Sequence, residues 1–411
     1  MVPLATRNFL RSVNTAVRIH RNMALAAMFS LACACVSAAQ AMSVEVALTP
    51  AGDVFPALEL SQSRSAASGA DAAGSGLLRI RFGDLQSAVQ VRLTISTPGL
   101  RAPSVIDAWV ESGTILRPRL EWDSLALRDL RSIRPQVMRV SVVAKGMRPI
   151  EQKLRIRVHP LDEALYFVRD GDARIDLGWA FAAWVDPYDP VVDELIELAG
   201  LDGTSPVSPP ENFSDRIGIA RALWVALEKH GLRYADEGAG ISQGPEIYSQ
   251  RVRLLSSTWD DRVANCLDGS VLIASALERL GIGSFLVLVP GHAFVGFYTD
   301  SDKREAEFLE TTFLGHQAPV GNQAQAETSQ RIRRRAVAGF EAARKAGRTR
   351  YRSAAPRLDG KHRPDYALID ISMARAYGIM PLAVGRQDGN AYAPAVPDVE
   401  PLRKFPVKLS P

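Results

Sequence analysis

The stretch ANCLDGSVLIASALERLGIGSFLVLVPGHAFVGFY, residues 264–298, changes its hydrophobic period half way along. From Asn265 to Leu280 apolar residues recur at helical spacing, and Gly281 stops the run. Ser284 to Val289 is then almost wholly apolar, the pattern of a buried strand, and Ala293 to Tyr298 follows after Pro290-Gly291. Glu307 to Thr312 continues as a third strand. A helix followed by a meander of strands is an α+β arrangement.

The same stretch holds the chemistry. Asn265 is a good N-cap and Asp268 stands three residues later, an approximate capping box, so Cys266 falls in the first helical turn. A thiol there meets the positive end of the helix dipole and free backbone N–H groups, which favour the thiolate. The same N–H groups suit a developing oxyanion. A thiolate nucleophile needs a general base, and His292, 26 residues on, opens a strand. With a turn on Asp300-Ser301-Asp302 and pairing symmetric about residue 301, His292 opposes Glu310, with Cβ atoms about 4.5 to 5.5 Å apart. Glu307, the rival acid, then falls on the other face. The competing reading is a core histidine and a solvent-facing glutamate, and a bulge in the loop restores it.

These residues resemble the bacterial transglutaminase-like superfamily. The resemblance rests on residues 264–278, on Val287-Leu288-Val289-Pro290-Gly291-His292-Ala293-Phe294-Val295-Gly296, and on Phe308-Leu309-Glu310-Thr311-Thr312. It covers roughly residues 210 to 315, with looser likeness at Asp176 to Val185 and Ala374 to Leu382. It implies a papain-like core, with Cys266 as nucleophile, His292 as base and acid, and Glu310 as orienter. The acid is Asp in many members, and Glu here adds a methylene. Trp259 or Gln250 is a weaker expectation for an extra oxyanion donor, since core packing explains Trp259 equally well.

Outward from this unit, Pro190 introduces a helix over Val191 to Ala199 that Gly200 ends. Ser214 to His230 carries a stripe of Ile217, Ala220, Trp224 and Leu227 closed by Gly231. Ala324 to Arg352 is helical in its first half and basic: nine Lys and Arg between Arg331 and Arg352 face the single acid Glu341. A solvated helix face is the plainer reading, and a lid or patch for an anionic polymer the other. Asp365 to Leu382 forms a strand and short helix, and residues 383 to 411 read as a Pro-rich tail.

Upstream, short alternating runs from Val44 to about Pro160 predict an antiparallel, immunoglobulin-like sandwich over 42–160, ahead of the papain-like domain at 161–382. No convergent His, acid or Ser set is visible in it. Ser61 to Gly76 reads as a mobile loop.

The chain has 411 residues and a formal charge of +4. Residues 1–41 hold four Arg, no acid, an apolar run from Ala24 to Ala38 and an Ala39-Gln40-Ala41 cleavage pattern, which predicts a signal peptide and a periplasmic or secreted product. Cleavage after Ala41 brings the charge to zero, so nothing points to nucleic acid, and it leaves Cys266 as the lone cysteine, with no partner for an internal disulfide. No stretch is apolar enough to span a membrane, and His and Cys are too few for a metal site or other cofactor. The expected activity is an exported cysteine hydrolase or peptidase acting on a peptide, protein or cell-wall amide. Transfer of a glutamine acyl group to an amine, and a non-catalytic binding protein that keeps the fold, stay open.

Overall fold

A computed structural model describes residues 42–48, 52–62, 77–170, 172–201, 213–236, 246–315, 329–384 and 408–409. The signal-peptide expectation, residues 63–76 of the expected loop, the start of the basic segment and most of the tail lie outside these residues.

The N-terminal part is β-rich. Ser43–Leu48, Leu78–Gly83 and Ile115–Leu116 form one sheet with Leu78–Gly83 in the middle. Asp53–Val54, Ile150–Val158, Arg134–Ala144, Val89–Ser96 and Ser104–Val110 form a second, in that order. All pairings are antiparallel except that of Asp53–Val54 with Ile150–Val158, which is parallel. Period-2 alternation sends Leu78, Ile80 and Phe82 inward to meet Leu93, Met138, Val140 and Val142, while Arg92 and Arg139 face out. The strands extend past their apolar runs, because polar residues such as Arg134 and Gln136 continue the ladder without burying anything. The buried side chains of this part and those of the next form one continuous core.

The C-terminal part is mixed helix and strand. Its main sheet runs Ala367–Asp370, Ser284–Val289, His292–Tyr298, Glu305–Leu309 and Lys408–Leu409. Pro290-Gly291 joins the second and third strands, with Val289 facing His292 and Gly291 at φ 70°, a backbone that costs glycine little. Lys408–Leu409, expected only as tail, pairs in parallel with Glu305 and Ala306 at the sheet edge. The cysteine helix, Cys266–Arg279, packs its mostly apolar middle on the face that carries Leu286, Leu288, Val295 and Phe297. The other face carries Phe285, Val287, Phe294 and Phe308.

The basic segment is one helix of 26 residues, Ser329–Ala354, hereafter the arginine helix. Its basic residues divide: Arg331, Arg333, Arg334, Lys345, Arg350 and Arg352 are exposed, as a solvated face requires, while Arg335, Arg344 and Arg348 are half-buried. Ala336, Phe340, Ala343, Gly347 and Tyr351 are buried, Tyr351 stacks on Phe308 with ring centroids 3.9 Å apart, and Arg344 and Arg348 each lie 2.6 Å from Glu307. A Cβ added at Gly347 would stand 2.6 Å from the Phe308 carbonyl oxygen, so only glycine lets the helix lie this close to the strand. The solvated-face expectation holds for the exposed residues; it missed the pairing of Arg344 and Arg348 with Glu307 because local charge density says nothing of acids held by other elements.

Candidate active site

The cysteine helix begins with the expected capping box. The Asn265 side chain accepts from the N–H groups of Leu267 (2.8 Å) and Asp268 (2.9 Å), and the Asp268 carboxylate accepts from the Asn265 N–H (3.0 Å). This qualifies the expected oxyanion site: two first-turn amides are already taken, which leaves the N–H of Cys266 itself at the helix mouth. Asn265→Ala should lower stability by about 1 kcal/mol, read as a shift of the urea midpoint at constant slope, whereas Asn265→Asp keeps an acceptor and should move it little.

The end of the glutamate strand, Glu305–Leu309, is fastened to that same turn. Thr311 Oγ1 donates to the Cys266 carbonyl (3.0 Å), and so does Ser270 Oγ (2.6 Å). Gly269 makes room: a Cβ there would lie 3.0 Å from the Thr311 Cβ. The residue before Thr311 is Glu310, so its position relative to Cys266 is set by a hydrogen bond between neighbours.

His292 supplies the third group. Its Nε2–H donates to Glu310 Oε2 at 2.8 Å, and the Cys266 side chain is close enough to raise the ring's affinity for a proton. The hairpin register is not the expected one. Val295 pairs with Leu309 and Phe297 with Glu307, so facing residues are centred on 302 rather than 301. The Asp300 carboxylate accepts from the N–H groups of Arg304 and Glu305 and Lys303 sits at φ 56°, which makes the turn longer than expected. Glu310 therefore reaches His292 diagonally from just beyond its strand, where it caps a 3₁₀ turn over Thr311–Phe313. The shift is an even number of residues, so the face is preserved.

Burial sets the electrostatics. The Glu310 side chain is 1% exposed and that of His292 14%, while Cys266 is partly exposed. Burial disfavours imidazolium, yet hydrogen bonds to Cys266 and Glu310 and their negative charge outweigh it and raise His292 to about 9. Burial likewise works against the Glu310 carboxylate, but the His292 bond, the charges of His292 and Arg350, and the Thr312 hydroxyl hold its pKa below the usual value.

Glu307, the rival acid, is buried against Arg344 and Arg348. Trp259 is buried with its ring stacked on His230 (3.6 Å), and its carbonyl accepts from that histidine. Gln250 donates its amide to the Arg251 carbonyl. None of the described contacts of these two is with Cys266.

Sequence reasoning missed three things. Tyr234 reaches the site because Arg233-Tyr234 runs parallel to Val263-Ala264, just before Asn265. Burial and then the charges of Cys266, Asp236 and Glu310 push its ionisation up, so it stays a neutral phenol. Arg350 lies 2.8 Å from Glu310. In the β-rich part, where no polar cluster was expected, buried His159 stands 2.8 Å from Asp53 and 3.0 Å from Glu163. No local pattern announces a pairing across 106 residues.

No protein-family model matches the chain, and a search of curated proteins finds none with significant similarity.

Proposed function

We propose that the protein is an exported cysteine hydrolase that cleaves an amide bond through a Cys266-His292-Glu310 triad, on a papain-like, transglutaminase-like core behind an immunoglobulin-like sandwich. The observation that carries the reading is His292, bonded through Nε2 to a buried carboxylate and raised in its affinity for a proton by a partly exposed thiol at a capped helix start. A nucleophile, a base and an orienter in that order are what acyl transfer requires.

His292 starts as imidazolium, and the Cys266 sulfur reacts as the thiolate. The sulfur attacks the carbonyl carbon, a C–S bond forms, and the carbonyl π pair moves to oxygen beside the Cys266 N–H. As the C–N bond breaks, His292 gives its proton to the departing nitrogen, and a thioester remains. Neutral His292 then takes a proton from water as its oxygen attacks. The C–S bond breaks, and carboxylic acid leaves with the thiolate restored. Throughout, Glu310 holds the ring and balances its charge. Hydrolysis is favoured over transfer because water supplies the second step unaided.

The test is labelling by iodoacetamide across pH together with product analysis on a peptide pool, with and without a primary amine. Cys266 should label fast below neutral pH. Because His292 is raised, the imidazolium persists below about 9 and is lost as pH climbs through it, so hydrolysis should fall on that alkaline side. Slow labelling of ordinary pH dependence would sink the enzyme reading, and amine-dependent products would replace hydrolysis by transfer.

A further inference from the structure

Glu310 is held from three directions. Its Oε1 accepts from the hydroxyl (3.0 Å) and amide (3.4 Å) of Thr312. Its Oε2 accepts from His292 Nε2 at 2.8 Å and lies 2.8 Å from Arg350 Nε. One oxygen is therefore shared between the imidazole and a guanidinium. The arginine helix delivers that guanidinium by construction: the Ala343 carbonyl accepts the Glu310 N–H (3.1 Å), Gly347 permits the close crossing, and Tyr351 stacks on Phe308.

We propose that Arg350 is a positioning residue that sets the proton balance of the triad: by occupying Oε2 beside His292, it withholds part of the carboxylate's charge from the imidazolium and keeps the ring acidic enough to protonate a leaving amine. The inference rests on the hydrolase reading only for its last clause. Thr312 anchors Oε1 without help from Arg350, so loss of Arg350 leaves the carboxylate in place and its effect is electrostatic. The charged or titratable groups around Glu310 are Cys266 from the cysteine helix, His292 from its strand, Arg350 from the arginine helix and Tyr234 from its short strand. On its own strand Glu307 is engaged by Arg344 and Arg348. Removing one fixed cation from this set favours protons on both remaining partners: the imidazolium becomes harder to deprotonate and Glu310 easier to protonate.

The Arg350 side chain is 44% exposed, so substitution should not disturb folding. The experiment follows His292 by NMR of its ring carbon across pH in the full chain, for the unaltered protein, Arg350→Gln and Arg350→Lys, with amide hydrolysis measured in parallel. Arg350→Gln should raise the His292 midpoint by about one unit and lower kcat on the pH plateau about tenfold at unchanged KM. Arg350→Lys, which returns the charge, should recover most of both. If Arg350 merely pins its helix, Arg350→Gln will lower the melting temperature and leave the His292 midpoint where it was, which overturns the proposal. A shifted midpoint in a protein that hydrolyses no amide upholds the proton balance and counts against the hydrolase reading instead.

Discussion

His292→Ala is expected to lower amide hydrolysis by a factor on the order of 10² to 10⁴ and to slow alkylation of Cys266 below neutral pH to that of an ordinary thiol. Both effects have one cause. His292 is the group that interacts with Cys266, and its high affinity for a proton keeps a positive charge beside the sulfur up to about pH 9. Alanine removes the counter-charge and the acid together. Glu310→Gln should do less at the sulfur, since the ring remains, but it turns the ring's acceptor into an amide and lets the imidazole adopt the wrong tautomer. Iodoacetamide kinetics on both variants, with turnover on a peptide pool, separates the cases. Alkylation of His292→Ala at the unaltered rate at pH 6 would show that the thiol owes nothing to the ring.

Glu307→Gln should instead destabilise the protein, by about 3 kcal/mol. Glu307 is fully buried, and its two oxygens receive Arg344 and Arg348, whose side chains are 16% and 20% exposed. An amide of the same shape satisfies some of the hydrogen bonds and none of the charge, which leaves two guanidinium groups facing a neutral partner in a largely dry place. A urea titration reads the loss directly. A midpoint within experimental error of the unaltered protein would mean that the arginines relax into solvent and that the contact contributes nothing. The contrast with Glu310 is the useful part: two acids three residues apart, one expected to fail in stability and the other in chemistry.

That separation was half legible in the sequence. The parity of 307 and 310 puts them on opposite faces whatever the register, and a meander keeps the parity of His292 and Glu310 for any even slip. The register itself was not legible, because Asp300 gathers the N–H groups of Arg304 and Glu305 and so lengthens the turn, a choice made by one side chain rather than by hydrophobic period. The start of the cysteine helix could be read to the residue, since Asn265 and Asp268 cap by contacts within one turn. Contacts between distant elements left no trace. Tyr234 depends on a two-residue parallel pairing, His159 on an acid from another strand, and the arginines on glutamates that the local charge count cannot see. Most of the basic run stays on the surface, as expected, and Glu307 draws Arg344 and Arg348 toward the sheet edge.

The crossing at Gly347 works as an index mark. A helix that must place its one hydrogen-only position against the Phe308 carbonyl has a single seat on the strand, and sliding by a turn would put Ala343 or Tyr351 where no side chain fits. Because that seat is unique, the guanidinium groups at 344, 348 and 350 arrive opposite 307 and 310 through one steric decision rather than three separate ones. A mutational scan of the helix should therefore find its least forgiving site at a residue that carries no charge at all.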